Sequence, residues 1–129
     1  MILAGLSFDL VVANPPFSSP LSSRGPDTAS PPGSPYADLA TRFWDLALEL
    51  TRPESGRVEL ILPKSILSSR DADNIRQRTE SVYRLRWSWW SELPAFEAQV
   101  TVCLVVFEPS RRPGRIDWTG IVTDRLDLP

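Results

Sequence analysis

Apolar residues fall along the first half of this chain in blocks that predict a strand, a helix and a second strand. Leu10–Ala13 is an unbroken apolar run, which predicts a short strand covered on both faces. Apolar residues recur at helical spacing over Tyr36–Thr51, and Pro53 and Gly56 end that helix. The apolar run of Arg57–Pro63 predicts the next strand, so the three elements form a crossover unit. The predicted core-facing stripe of the helix consists of Leu39, Phe43, Leu46 or Ala47, and Leu50, widened by Trp44 and Leu48.

The second half of the chain predicts one more helix and a pair of strands. Ser65–Ser81 has helical spacing, with apolar residues facing inward and arginines facing solvent. Tyr83–Ser91 alternates in polarity, which is typical of a half-exposed strand near the edge of a sheet. Thr101–Phe107 is apolar almost throughout, so we expect a central strand that forms a hairpin with Tyr83–Ser91. The inward helix residues are Ile66, Leu67, Ala72 and Ile75, the outward arginines are Arg70, Arg76 and Arg78, and one face of the alternating strand carries Tyr83, Leu85, Trp87 and Trp89.

Composition limits the class of protein. The chain has 129 residues, enough for one domain with a modest core, and its apolar content of 42% is near the globular average. No apolar run is long enough to span a bilayer, so we expect no membrane association and a cytoplasmic location. Cys103 is the single cysteine and lies in an apolar run, which predicts a buried side chain. The net charge of −2, with no histidine, argues against DNA binding by this chain alone.

The turn after the first strand carries the candidate chemistry. Asn14, Pro15, Pro16 and Phe17 follow the apolar run directly, and the two prolines end the strand because neither donates to a sheet ladder. Asn14 is therefore expected at the carboxyl end of a strand, where open α/β sheets bind their ligands. The Asn14 side-chain carbonyl and the Pro15 backbone carbonyl are two acceptors suited to the two hydrogens of an NH2 group. Phe17 adds a ring on which a flat base or amide can stack, and this chemistry requires no metal.

The segment FDLVVANPPF, residues 8 to 17, resembles the catalytic motif of the amino-group methyltransferases that use S-adenosylmethionine (AdoMet). In that family the motif binds the target amine at the end of the fourth strand of a Rossmann-like sheet. The form with Asn first and Phe last resembles N6-adenine DNA methyltransferases of restriction-modification systems, of the type I and combined restriction type. The resemblance implies an α/β fold: a partial Rossmann-like class I methyltransferase fold, with a mostly parallel sheet that ends in an antiparallel hairpin.

Two further positions belong to the resemblance, which covers roughly residues 6 to 107. Lys64, the only lysine, follows the second strand, and in the family this segment borders the target-base pocket, where Lys64 would touch a phosphate. The alternative is a solvated charge at the start of the next helix. Phe96 stands where the family has an aromatic residue packed against the flipped-out adenine, so Phe17 and Phe96 would hold the base between them. The alternative for Phe96 is a loop anchor packed into the core.

The sequence departs from the family pattern in its cofactor-binding residues. It has no Gly-rich AdoMet-binding loop and no acidic residue after a second strand to hold the ribose. The N-terminal cofactor-binding strands of the family are therefore absent, and Asn14 is the one residue here to which the resemblance assigns a cofactor contact. Either the sequence is a fragment of a longer gene, or a second chain supplies the missing half of the sheet. We also expect the exposed edge of the Phe8–Ala13 strand to allow a homodimer.

The resemblance implies methyl transfer from AdoMet to the N6 amino group of adenine in DNA, by a chain that is incomplete on its own. The alternatives are the same chemistry on guanine N2 in RNA or on a protein glutamine, and a non-catalytic remnant or accessory subunit. We expect residues 1–110 to form the partial catalytic domain, with a mobile Ser/Pro-rich loop over 18–35. Residues 111–129 are expected to form an extension that leads toward a DNA-recognition region.

Overall fold

The structure, a computed structural model, describes residues 5–16, 35–90 and 100–118, and only the backbone within 35–38. Each strand and the first helix begin and end within two residues of the bounds that the sequence predicts. In chain order the elements are β1 Leu10–Ala13, α1 Pro35–Leu50, β2 Arg57–Pro63, the 3₁₀ helices Lys64–Leu67 and Arg70–Ala72, α2 Asp73–Val82, β3 Tyr83–Trp90 and β4 Val102–Pro109.

The four strands form one mixed sheet in the order β1-β2-β4-β3. β1 and β2 are parallel, as a strand–helix–strand crossover requires. β4 is antiparallel to both of its neighbours, β2 and β3. The predicted hairpin of the last two strands and the central place of β4 are confirmed. The fold is α/β, as the sequence predicts.

The hydrophobic core lies between one face of this sheet and the helices. Val58, Leu60 and Leu62 alternate along β2, so they share that face, and all three are fully buried. On α1 the buried stripe is Ala40, Trp44, Ala47 and Leu48, whereas Leu39, Phe43, Leu46 and Leu50 are only partly buried. The predicted stripe is therefore correct for Trp44, Ala47 and Leu48 only: Ala40 is missing from it, and the centre of the buried face is rotated toward Trp44.

Three aromatic rings pack against one another in the core near the C-terminal end of β4. Trp44 stacks on Phe107 with ring centroids 5.6 Å apart and an interplanar angle of 13°. Trp118 packs against both rings, at 5.6 Å from Trp44 and 5.9 Å from Phe107. Glu80 fixes this contact, because its Oε1 accepts hydrogen bonds from Trp118 Nε1 at 2.7 Å and from the Ile116 backbone N–H at 3.1 Å.

The link between α1 and β2 turns tightly around Gly56. A Cβ at this position would lie 2.4 Å from Thr51 Cγ2 and 2.8 Å from the backbone N and O of Arg52, so only glycine fits. The Gly56 N–H donates to the Arg52 carbonyl at 2.9 Å, and the Arg52 N–H donates to the Phe8 carbonyl at 2.8 Å. These bonds attach the turn to the residues that precede β1 and so fix the register of β1 against β2.

The prediction that β1 is covered on both faces is wrong for the described part of the chain. Val11 and Ala13 pack against the core, but Leu10 and Val12 are 53% and 65% exposed. The cause is that both described helices pack on one face of the sheet, and Leu10 and Val12 point to the other. β1 is also an edge strand among the described residues, which matches the open strand edge that the sequence predicts.

The prediction of one continuous helix over 65–81 is also wrong. Two 3₁₀ segments precede α2, because the backbone N–H groups of Ser68 and Ser69 both donate to the Ser65 carbonyl and close a tight turn there. The inward residues are confirmed: Ile66, Leu67, Ala72 and Ile75 are all buried.

A bulge changes the faces of β3. Leu85 is paired with Phe107, but the next pair along the strand is Trp87 with Val106. Phe107 and Val106 are consecutive, so they point to opposite faces of the sheet, and so do Leu85 and Trp87. The predicted alternation, with Trp87 and Trp89 on the same face as Leu85, is therefore wrong. Within the described ranges, no helix is long and apolar enough to cross a membrane.

Candidate functional site

The turn after β1 lies at the carboxyl edge of the sheet, where the sequence predicts it. β1 ends at Ala13, and Asn14, Pro15 and Pro16 follow without regular secondary structure. Pro15 is buried and anchors the turn, whereas Asn14 and Pro16 are exposed. Ala13 is paired with Leu60, so Asn14 lies level with the C-terminal residues of β2. The Asn14 amide is thus accessible at the edge where two parallel strands end.

Lys64 follows β2 at the same edge. Three residues separate it from the level of Asn14, so it lies roughly 10 Å further along the strand direction. The Lys64 backbone N–H donates to the Thr101 carbonyl at 2.8 Å, and Nζ lies 3.3 Å from the centroid of the Trp90 ring. A cation over an indole face is attracted by the negative charge of the π-system. The Lys64 ammonium group is therefore held on an aromatic surface at this edge.

The remaining predicted site residues lie outside the described part of the chain. These are Phe17, Phe96 and the predicted loop over 18–35, apart from Pro35, which begins α1. Trp90 and Val100 flank the segment that contains Phe96, and the Trp90 ring contacts Lys64. The pairing of Phe17 with Phe96 around a base stays a prediction.

The single cysteine also lies near this edge, but its chemistry is that of a core residue. Cys103 is paired with Leu62 and is fully buried, as predicted. Burial raises the pKa of the Cys103 thiol to about 12, against smaller opposing effects of backbone hydrogen bonds and the Lys64 charge. The group therefore stays protonated at neutral pH and does not serve as a nucleophile.

Arg76 supports the segment that begins with Lys64. The prediction that Arg76 faces solvent is wrong, since only 7% of the residue is exposed. Its guanidinium group donates to the Ile66 carbonyl, to the Ser69 carbonyl at 2.8 Å, and to the Asp73 carboxylate. These bonds satisfy carbonyl groups that the short 3₁₀ turns leave without helical partners. Arg76 thus fixes the chain between β2 and α2.

We expect replacement of Arg76 with methionine to lower the free energy of unfolding by about 1–3 kcal/mol, because two inward carbonyl groups lose their donors. Urea unfolding followed by tryptophan fluorescence measures the change. The matched control is Gln77→Met, at the adjacent exposed position of α2. Equal stabilities of the two variants would show that the Arg76 hydrogen bonds do not hold this segment.

A groove of about 330 Å³ lies on the helical side of the molecule, between α1 and α2. Arg78 at this groove forms ion pairs with Asp45 and, at 4.0 Å, with Glu49. None of the predicted site residues lines it. The groove and the Asn14 edge are therefore separate features of the surface.

Trp90 and Arg76 are the residues near the site that sequence reasoning missed. The i, i+3 spacing of Asp73 and Arg76 is a signal for an ion pair, but it does not indicate burial. The contact of Lys64 with Trp90 joins residues 26 positions apart, and it depends on the order of β2, β4 and β3 in the sheet. No local pattern carries that information.

Comparison with known proteins gives a fold and no family. No family model matches the chain, and no curated protein matches it. Among solved structures, it is similar to a chain from a type I restriction-modification system studied for its complex assembly and conformational transition. That match has a TM-score of 0.57 and 20% identity, and covers 87% of this chain and 23% of the other.

A second similar structure is a modification subunit of a putative type I restriction enzyme from Vibrio vulnificus YJ016. It has a TM-score of 0.57 and 20% identity over 78% of this chain and 22% of that subunit. The chain therefore spans less than a quarter of the length of these two neighbours. At this level of identity the likeness concerns the fold: the four-stranded α/β unit described above is similar to part of a restriction-modification modification subunit.

Proposed function

We propose that this chain is the amine-binding part of an AdoMet-dependent N6-adenine DNA methyltransferase of a restriction-modification system. The observation that carries the proposal is the Asn14-Pro15-Pro16 turn, with Asn14 exposed directly after a parallel strand at the carboxyl edge of the sheet. The similar folds of the modification subunit and of the chain from a type I restriction-modification system support it. The resemblance of the motif suggests the reaction type, and the position of Asn14 at the carboxyl edge of the sheet supports it.

The proposed role of the turn follows from its hydrogen-bonding groups. Asn14 Oδ1 and the Pro15 carbonyl accept the two hydrogens of the adenine N6 amino group. The Pro15 carbonyl is held in place because the two prolines fix φ and Pro15 is buried, and the backbone of Asn14 is restricted because a proline follows it. When both hydrogens point into the protein, the nitrogen lone pair points away from it and is the more nucleophilic. Phe17 and Phe96 would offset the lost base stacking, and Lys64 would contact a phosphate.

AdoMet would supply the methyl group on its sulfonium centre. Apart from Asn14, the described residues do not form a cradle for it: Gly5, Gly56 and Gly114 are isolated, and none opens a helix after a strand. We propose that the remaining cofactor contacts come from residues outside the described ranges, either in a longer form of this chain or in a second chain. The open edge of β1, with Leu10 and Val12 exposed beside it, is where those residues would add strands to the sheet. A homodimer through this edge is the alternative assembly.

The test is the product in cells. The gene is expressed together with its flanking open reading frames in a bacterial host that lacks adenine methylation, and the genomic DNA is digested to nucleosides. We expect mass spectrometry to detect N6-methyladenine. An increase of N2-methylguanine in ribosomal RNA or of methylglutamine in protein over the same host with an empty vector, without N6-methyladenine in DNA, would assign the same chemistry to another amine. No increase in any of the three pools over the empty-vector host would overturn the proposal in favour of a non-catalytic remnant or accessory subunit.

A further inference from the structure

Guanidinium groups gather at the end of the sheet opposite Asn14. There β2 and β3 begin and β4 ends, so residues from three strands meet. Glu108 near the end of β4 accepts a hydrogen bond on Oε1 from Arg84 Nε at 2.8 Å. Its other carboxylate oxygen, Oε2, lies 3.8 Å from Arg57 and 3.9 Å from Arg86. One carboxylate therefore faces three guanidinium groups.

This end of the sheet has a surplus of positive charge. The side chains of Arg57, Arg84 and Arg86 are 50%, 62% and 61% exposed, whereas that of Glu108 is only 19% exposed. Two more exposed arginines follow β4 directly. We call the five arginines the arginine patch: Arg57, Arg84, Arg86, Arg111 and Arg112. Set against the one charge of Glu108, they give this region a net charge of +4.

Neighbouring acidic groups do not cancel this charge. On the β1 side, Asp9 is already paired with Arg52. Glu54 in the turn before β2 and Glu59, on the same face of β2 as Arg57, each add one negative charge, which leaves a net charge of +2. The whole chain has a net charge of −2, so the residues outside the patch and Glu108 together carry −6. Charge is thus segregated along the molecule. The net charge of the whole chain argues against DNA binding, but this end of the sheet is basic.

We propose that the arginine patch binds the phosphate backbone of duplex DNA. Arginine suits this ligand because its planar fork of donors matches two phosphate oxygens at once. β4 separates β2 from β3, so the backbones of Arg57 and Arg84 stand roughly 10 Å apart, and their long, exposed side chains can exchange Glu108 for separate phosphates of one strand. Such contacts hold a duplex without reading its sequence. The inference does not rest on the proposed methyl transfer, since binding needs neither AdoMet nor Asn14.

The test is equilibrium binding of a fluorescein-labelled 24-base-pair duplex to the full chain, followed by anisotropy from low to moderate salt. We expect the Arg84→Gln/Arg86→Gln variant to bind about tenfold more weakly at low salt. Each phosphate contact contributes about 0.9 to the slope of log K against log salt, so the slope should become shallower by about 2. Arg111→Gln/Arg112→Gln leaves the Glu108 contacts intact, and we expect the same change in slope.

The matched control is Arg42→Gln/Arg70→Gln, which removes the same charge from exposed positions on α1 and the second 3₁₀ helix. Absence of duplex binding at low salt, or equal weakening by this control, would overturn the assignment. Polyglutamate of the same charge, bound as tightly as DNA and with the same dependence on the patch, would instead assign the surface to an acidic polypeptide. An Asn14→Ala chain that binds the duplex normally but transfers no methyl group would separate this inference from the proposed function.

Discussion

Replacing Trp44 with alanine is expected to lower the free energy of unfolding by about 3–5 kcal/mol, the largest stability change we predict for a single side chain. Trp44 is fully buried, and it stacks on Phe107 and packs against Trp118. Its removal leaves a cavity between α1, β4 and the segment of Trp118. Urea unfolding followed by circular dichroism measures the loss.

A second variant separates packing from hydrogen bonding. In the described structure Trp44 Nε1 is buried without a hydrogen-bond partner, so the indole carries a donor that costs free energy to bury. Trp44→Phe keeps an aromatic ring and removes that donor, so we expect it to stay within about 1.5 kcal/mol of the natural chain. Val82→Ala, at a half-exposed position, should change stability by less than about 0.5 kcal/mol. A loss of less than 1 kcal/mol for Trp44→Ala, on the order of an average substitution, would contradict the central place of this cluster.

The sequence predicts elements whose signals are local. β2 is predicted at both ends because its apolar run begins after Gly56, where no side chain fits, and ends at Pro63. α1 is predicted within one residue because its apolar spacing stops before Pro53. The central place of β4 is predicted correctly from its apolar run, but the same signal in Leu10–Ala13 belongs to a strand at the edge of the described sheet.

Features that depend on distant contacts are not predicted. Trp118 lies in a short polar stretch, and only the fold shows that it packs on Trp44 and that Glu80 holds it. The bulge in β3 needs one extra residue opposite β4, which the alternation of polarity does not reveal. The sequence predicts that Arg76 is exposed. Arg76 is buried because its guanidinium group donates to carbonyl groups of a turn that the sequence predicts as helix.

The same distinction applies to the candidate site. The position of Asn14 at the carboxyl edge follows from an apolar strand and two prolines, and it is predicted correctly. The contact of Lys64 with Trp90 forms only when β3 and β4 lie beside β2 in the sheet. The same is true of the grouping of charges in the arginine patch. The local sequence thus predicts the position of Asn14, whereas the groups around the proposed site depend on the order of the strands.

Replacing Asn14 with alanine is expected to lower N6-methyladenine formation by roughly a hundredfold or more, the scale for loss of one pre-positioned hydrogen-bonding group in an active site. Asn14 is exposed, and no hydrogen bond of its side chain is part of the described packing, so we expect the fold to be unchanged. The measurement is the N6-methyladenine content of genomic DNA in the expression system described above. Circular dichroism of the purified chain checks the fold.

Two further variants identify the atom responsible. Asn14→Asp keeps oxygen acceptors at the turn, so it should retain more activity than Asn14→Ala if accepting the amine hydrogen is the role of the residue. Asn74→Ala removes an exposed asparagine from α2, away from the carboxyl edge, and should leave methylation unchanged. Full methylation by the Asn14→Ala chain, with Asn74→Ala as reference, would mean that another group polarises the amine. An Asn14→Asp chain no more active than Asn14→Ala would show that the amide NH2 group, and not its oxygen, contacts the substrate.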